Sequence, residues 1–382
     1  MTEFAGVKRV LVLKLRHIGD VLLTVPVFRA IKETFPGVQT TALVTKGTEA
    51  MLAGNPLVDE IVTFDRGDRS GSALGRFGAD AAFYLAIRRR NFDLTVDLTS
   101  GDRPALISLL SGARYRLAAD PGKKGMFGKR HFYTHLAERP GSRHTVLQNL
   151  DIVTAFGIRT TDPAVDYHIP ADARARVAEL FAAAGFTAAD RVVHLHPTSR
   201  WLFKCWDDRS MAKVINWLLA SGFKVVITSS PEEKELQRAG AILQHVPEHP
   251  SLLLLLGKTS LKELGAVAAR AELFFGVDSA PMHIAAAVGT PVVALFGPSG
   301  AFHWGPWDNE AAGRLGGQLP YSARSGNQQF GKNLVLQRDW LCVPCGKDGC
   351  SGTKVSRCLM EISPEEVIEV LAAKLEGRGD QC

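Results

Sequence analysis

Short apolar runs alternate with segments whose apolar positions recur at helical spacing along most of this chain. Val10–Leu15, Gln39–Val44, Glu60–Phe64 and Leu94–Leu98 read as strands. Helices are predicted over Val21–Phe35, with Pro26 as a kink or register break, around Thr48–Leu52, over Ala79–Arg90 and over Arg103–Leu110. Arg66–Gly78 reads as a Gly- and Arg-rich loop. Ala118–His131 reads as a mobile loop, with Pro121, Gly122, Gly125 and Gly128 among Lys123, Lys124, Lys129, Arg130 and Phe127. A basic loop carrying an aromatic can close over an anionic substrate. Thr145–Phe156 is helical. Arg159–Pro170 loses periodicity and contains two prolines, which marks a break between halves.

The same alternation then resumes. Arg191–Leu195, Lys224–Thr228 and Leu252–Leu256 read as strands, and Asp207–Ala220, Glu232–His245 and Ser260–Ala269 as helices. Ser260 and Glu263 form a capping-box pattern. Trp304–Leu341 is irregular, and Pro364–Leu375 is a helix with acidic residues in its first turn. Repeated βαβ units predict an α/β fold with two largely parallel sheets and a cleft at their carboxyl edges, where open sheets bind ligands. The division expected is a first domain over 1–165, a linker over 166–189, a second domain over 190–360 and a terminal segment over 361–382.

The stretch from Glu272 to Gly297 is the most informative. Leu273–Phe275 is a buried strand, Gly276–Ser279 a small polar turn, Pro281 fits the first turn of a helix, Gly289 ends it, and Val292–Phe296 is the next strand. A strand, a tight turn and a helix N-terminus present free N–H groups and a positive dipole end, which is an anion site. The competing reading is an ordinary crossover with Asp278 as its N-cap.

Composition adds bounds. An apolar fraction of 46% and a charged fraction of 22% describe an ordinary globular chain. No apolar run approaches the ~20 residues that span a bilayer, and no signal peptide is visible, so a cytoplasmic protein with reduced cysteines is expected. Net charge is unevenly spread: residues 1–165 hold 23 basic and 16 acidic side chains, the remainder 22 and 23. The first half therefore suits an anionic partner: phosphorylated sugar, acidic lipid headgroup or nucleic acid.

Several motifs could carry chemistry. Asp20 opens a helix, suited either to capping or to acting as a general base. Thr198, Ser199 and Lys204 follow a strand and provide two hydroxyls and a point charge for phosphate. Glu232 and Glu233 follow the next strand, where a carboxylate can bind a ribose diol. No Gly-x-Gly-x-x-Gly, Walker loop or Asp-x-Asp pair is present, which argues against nicotinamide, P-loop and metal-bridged diphosphate chemistry. Cys342, Cys345, Cys350 and Cys358 are a zinc candidate by ligand type, although their spacing is not that of a standard finger.

The segments Leu15–Thr24 (Leu-Arg-His-Ile-Gly-Asp-Val-Leu-Leu-Thr), Pro197–Arg200 with Phe203–Asp207, and Gly276–His283 resemble glycosyltransferase family 9, the bacterial heptosyltransferases of the lipopolysaccharide inner core. Arg16 and His17 before Gly19-Asp20, together with Phe203–Trp206, are most similar to the heptosyltransferase III subfamily. The resemblance implies a GT-B fold, two Rossmann-like domains facing across a cleft, with the last helix packing back on the first domain. It implies inverting, metal-independent transfer from ADP-heptose, with no cofactor and no nucleic acid. Asp20 would be the base and Lys204 the catalytic cation. Thr198, Ser199, Glu233, Asp278, Ser279, Ala280, Pro281, Met282 and His283 would hold the donor. The basic first domain, through Arg16, His17, Arg103, Lys123, Lys124 and Arg130, would bind an inner-core acceptor at the cytoplasmic face of the inner membrane. The alternatives are a family 9 transferase using another nucleotide sugar, and a non-catalytic nucleotide-binding protein with a zinc-binding cysteine tail.

Overall fold

The computed structural model describes residues 4–65, 73–139 and 141–376. Residues 66–72 of the predicted Arg66–Gly78 loop lie outside the described residues. The chain forms two compact units, Met1–His168 and Ile169–Cys382.

The first unit holds six strands: β1 (Arg9–Lys14), β2 (Gln39–Thr45), β3 (Glu60–Phe64), β4 (Leu94–Asp97), β5 (Tyr115–Ala119) and β6 (His135–Ala137). They pair in the order β3-β2-β1-β4-β5-β6, all parallel. Helices α1 (Ile18–Leu22), α2 (Val25–Thr34), α3 (Ala73–Arg89), α4 (Asp102–Leu110) and α5 (Thr145–Thr154) connect them. β1 is central, and Val10–Leu13 is a continuous apolar run because helices cover both faces of the sheet.

Two predicted helices differ. The single helix expected over Val21–Phe35 is two helices, with Leu23 and Thr24 between them and Pro26 in the first turn of the second. Proline has no N–H to give an interior turn, so it opens a helix rather than kinking one. α3 begins at Ala73, six residues before the predicted start at Ala79.

The second unit contains β7 (Val192–His196), β8 (Lys224–Ser229), β9 (Leu252–Leu256), β10 (Leu273–Val277), β11 (Val292–Leu295), β12 (Gln328–Phe330) and β13 (Asn333–Leu336). Their order is β12-β13-β11-β10-β7-β8-β9, parallel except for the β12–β13 pair. Without β12 this is the order of the first sheet again, with β7 and β10 in the places of β1 and β4. Helices α6 (Ala171–Ala183), α7 (Asp208–Ala220), α8 (Glu233–Leu243), α9 (Leu261–Arg270) and α10 (Ala280–Ala287) follow. Asp207 caps α7 by accepting the Ser210 N–H at 2.8 Å, and the Ser260–Glu263 capping box starts α9. Gly276 allows β10 to lie close to β7: a Cβ there would sit 2.6 Å from the His196 carbonyl oxygen.

Two expectations about organisation change, and the last helix finds its core. The stretch expected as a linker, 166–189, contains α6, which buries Ala173, Val177 and Phe181 and packs on α9. The final helix, Pro364–Glu376, places Val367, Leu371 and Leu375 in the second unit's core and packs on α7. It lies within the second unit. Trp304–Leu341, expected to be irregular, supplies β12 and β13.

Candidate active site

In both sheets the strand order reverses beside the central strand, between β1 and β4 and between β7 and β10. Ligands of open α/β sheets bind at the carboxyl ends of strands at such a point. Of the predicted site residues, Thr198, Ser199, Lys204, Asp278 and Ser279 follow β7 or β10, and Asp20 follows β1.

In the second unit, Asp278 directly follows β10, and Lys204 ends the short turn Leu202–Lys204 after β7. Lys204 Nζ donates to Asp278 Oδ2 at 2.6 Å, with both side chains largely buried. Among the described residues Lys204 is the only side-chain donor to Asp278, so this aspartate is not the N-cap. The cap of α10 is Ser279, in extended conformation and without a side-chain capping bond. Its Oγ is buried and has no hydrogen-bond partner among the described residues. Ala280 and Pro281 form the first turn, and Met282 and His283 are buried behind it. A buried hydroxyl without a partner, a lysine and a helix N-terminus at one strand end form an anion-binding arrangement.

Thr198 and Ser199 are buried just after β7. Thr198 Oγ1 donates to Glu235 Oε2 at 2.8 Å, so its proton is directed at a carboxylate and away from any phosphate. Ser230 Oγ donates to the other oxygen, Oε1, at 2.8 Å. Ser199 Oγ accepts from the Trp201 N–H at 3.3 Å. Glu233 is exposed in the first turn of α8, where its Oε1 accepts from Gln237 Nε2 at 2.7 Å. Glu235 is the residue the sequence reading passed over. Its signal was present: Glu235, Ala239 and Ile242 share the buried face of α8 at helical spacing, and a glutamate on an apolar face needs partners. Beneath this edge, His194 Nε2 and His196 Nδ1 both meet Thr228 Oγ1, at 2.8 and 2.9 Å. Burial holds both imidazoles at a pKa of about 3 and therefore neutral. Trp206 is a packing residue, fully buried with its indole N–H on the Ile362 carbonyl, while Trp201 is exposed.

In the first unit, Asp20 is the third residue of the short α1 and is half-buried. His17 is the N-cap, without a side-chain capping bond, and is exposed. Lys14, at the end of β1, is buried and donates to the Leu98 carbonyl at 2.9 Å and Asn149 Oδ1 at 3.1 Å. Burial lowers its pKa, against the opposing charges of Asp20 and Asp97. Asp97, at the end of β4, accepts from the Tyr133 hydroxyl at 2.5 Å and from the backbone N–H groups of Thr99 and Ser100. Burial raises its pKa in spite of these bonds.

The predicted acceptor residues are dispersed over the first unit. Arg16 is exposed, with Nη2 on the Thr99 carbonyl at 3.3 Å. Arg103 pairs with Asp80 at 3.7 Å and lies over the Phe64 ring. Lys123, Lys124 and Arg130 are exposed on the turn following β5. Lys129, expected among these cations, is instead buried against Asp102 and the Ser100 carbonyl.

Cys342 and Cys345 are exposed, Cys350 is half-buried and Cys358 is buried, all as free thiols. Burial, then the neighbouring three thiols, pushes the Cys358 pKa up to about 11. Among the described residues no group of three or more His, Cys, Asp or Glu is arranged to hold a metal ion.

Two Rossmann-like parallel sheets of matching order are the sheets of a GT-B fold. The structure is similar over 98% of its length to a glycosyl transferase family 9 protein from Veillonella parvula, covering 99% of that chain with TM-score 0.78 and 21% identity. It is likewise similar to the E. coli ADP-heptose lipopolysaccharide heptosyltransferase II, with TM-score 0.73 and 18% identity over 97% of this chain and 99% of that one. In sequence the chain is 33% identical over 298 residues to lipopolysaccharide heptosyltransferase 3 of Escherichia coli, which covers 77% of this chain and 85% of that protein. Residues 81–332 match glycosyltransferase family 9 (heptosyltransferase), and the chain belongs to that family.

Proposed function

We propose that this enzyme transfers heptose from ADP-heptose to the inner core of lipopolysaccharide, with inversion at the anomeric carbon and without a metal ion. The observation that carries the donor assignment is the buried Ser279 hydroxyl, unpartnered among the described residues, at the N-terminus of α10 and next in the chain to Asp278, which Lys204 holds. Lys204 turns from Asp278 to the diphosphate, and Asp278 is released to the donor sugar. The hydroxyl aimed at phosphate is that of Ser279 rather than Thr198, whose proton Glu235 holds. Thr198, Ser199 and the turn Ala280–His283 shape the donor site, and Glu233 takes the ribose.

In the reaction, Asp20 takes the proton of an acceptor hydroxyl as its oxygen bonds to the anomeric carbon. The bond from that carbon to the β-phosphate oxygen breaks, and ADP leaves with the electron pair. Lys204, Ser279 and the α10 N–H groups meet the charge that builds on the leaving phosphate, the electrostatic part of catalysis. Arg16, His17, Arg103, Lys123, Lys124 and Arg130 face the anionic acceptor, at the cytoplasmic surface of the inner membrane. No helix among the described residues is long and apolar enough to cross a membrane.

The test is incubation of the protein with ADP-heptose and an inner-core acceptor, read by mass spectrometry, with calorimetry against UDP- and GDP-sugars. The expected result is a gain of one heptose and binding selective for the ADP-sugar. No mass gain, or tighter binding of another nucleotide sugar, overturns the reading.

A further inference from the structure

The turn between β5 and β6 is built to present two apolar side chains to solvent. Phe127 is completely exposed and Met126 is 42% exposed. Side by side at one tip, they form an apolar patch and not a scattered single side chain.

The turn is fixed on both sides of this tip. On the near side the Met126 N–H donates to Asp102 Oδ1 at 2.9 Å. On the far side the buried Lys129 Nζ donates to the same Oδ1 at 2.9 Å and to the Ser100 carbonyl at 3.3 Å. The base of the turn is held by the Gly122 N–H on Asp120 Oδ1, at 2.8 Å, and by Arg139, which donates to the Asp120 and Pro121 carbonyls. Gly125 permits the clamp: with φ of +82°, a Cβ there would lie 2.2 Å from Asp102 Oδ1 and 2.6 Å from Lys129 Nζ. One carboxylate thus grips the turn immediately before and shortly after Phe127, and the tip stands away from the core.

The surroundings of the tip set the partner. Lys123, Lys124 and Arg130 are exposed within four residues of Phe127. The acidic residue nearest to it in the turn, Asp120, is used at the base. Apolar side chains ringed by cations match the boundary of an anionic bilayer, where the aromatic enters the acyl region and the cations meet phosphate headgroups. An acidic protein surface would satisfy the cations and leave Phe127 in water.

We infer that Met126 and Phe127, with Lys123, Lys124 and Arg130, form an interfacial anchor that docks the first unit on an anionic lipid surface. The inference rests on the proposed function, for it supplies the contact by which an enzyme without a described spanning helix reaches a lipid-borne acceptor.

The experiment is co-sedimentation of the full chain with vesicles of phosphatidylethanolamine and phosphatidylglycerol, without donor or acceptor. The wild type is expected to bind, and to release as salt is raised. Phe127→Asp should lower partitioning by tenfold or more. Changing Lys123, Lys124 and Arg130 together to Gln should lower it by about fivefold per cation and remove most of the salt dependence. Turnover on a deacylated, water-soluble acceptor should be unchanged in Phe127→Asp. Absence of wild-type binding, or binding indifferent to both variants, overturns the inference. So does a protein dimer, seen without vesicles, that Phe127→Asp abolishes. A wild type that binds vesicles but transfers nothing to the soluble acceptor would sink the proposed function and leave the anchor standing.

Discussion

Each sheet presents a lysine and an aspartate at its switch point, and the two pairs are used in opposite ways. Asp97, at the end of β4, is saturated by Tyr133 and two backbone N–H groups, while Lys14 is satisfied by a carbonyl and by Asn149. Among the described residues Asp278, at the end of β10, has Lys204 alone as side-chain donor, and the hydroxyl of the next residue, Ser279, has no partner. Identical strand order therefore does not make two identical sites. A saturated pair holds a sheet edge together. An unsaturated one is ready for a ligand that completes its bonds. In the first unit Lys14 and Asp97 form the saturated pair, and the half-buried Asp20 is the proposed base.

The largest expected effect breaks the comparison at Asp20. Asp20→Asn keeps shape and polarity but cannot take a proton, so kcat should fall by ~10²–10⁴. Because Asp20 is not the cap of α1, stability should shift by less than about 1 kcal/mol, and ADP affinity should hold. Near-normal turnover in this variant would end the base assignment.

Lys204→Ala tests the available pair. Charge-assisted contacts are worth ~1.5–3 kcal/mol, so ADP affinity and turnover should drop about tenfold to a hundredfold. Calorimetry showing unchanged ADP binding would mean that the lysine serves only Asp278.

Lys14→Met tests the saturated pair and should have the contrary signature. Loss of the buried donor to Leu98 and Asn149 should cost about 1–3 kcal/mol in urea unfolding, with ADP affinity untouched. A variant as stable as wild type would show that this lysine is not structural.

Glu235→Gln sharpens the reading of the second edge. It exchanges charge-assisted bonds from Thr198 and Ser230 for neutral ones, a difference of about 1 kcal/mol and roughly fivefold in donor affinity. If calorimetry finds no change, the glutamate does not shape the donor site.

The last test varies pH. His194 and His196 fall from an ordinary 6.5 to about 3 in the folded chain. Below pH 6.5 the unfolded chain takes up protons that the folded one refuses. Their stabilising contribution is thus complete above 6.5 and fades as pH drops toward 3. The melting temperature should fall across that window, and His194→Asn should flatten part of the slope. An equal slope in wild type and variant would show that other groups set the acid limit.

The alternation of apolar runs made both sheets legible, because a strand covered on both faces must be apolar throughout, as Val10–Leu13 and Leu273–Phe275 are. Capping chemistry was local and therefore readable at Ser260 and Glu263. β5, β6, β12 and β13 were not. They are short, carry residues such as Arg116 and Asn333, and are strands because a neighbouring edge supplies their hydrogen bonds. The final helix was plain as a helix. Which core received its Val367, Leu371 and Leu375 was not, since periodicity gives a face and not its destination.

The candidate site divides in the same way. Sequence by itself determined the family, the two parallel sheets and the strand, turn and helix ending at Asp278 and Ser279, because each depends on residues near one another in the chain. Tertiary structure alone decided that Lys204 reaches Asp278 across 74 positions, that Glu235 and not solvent receives the Thr198 proton, and that Lys129 turns inward while Phe127 stands out. The physical reason is that a hydrogen bond or a buried charge is settled by which atoms fill the neighbouring space. A one-dimensional pattern fixes which residues can make those bonds, and the packed fold fixes which of them do.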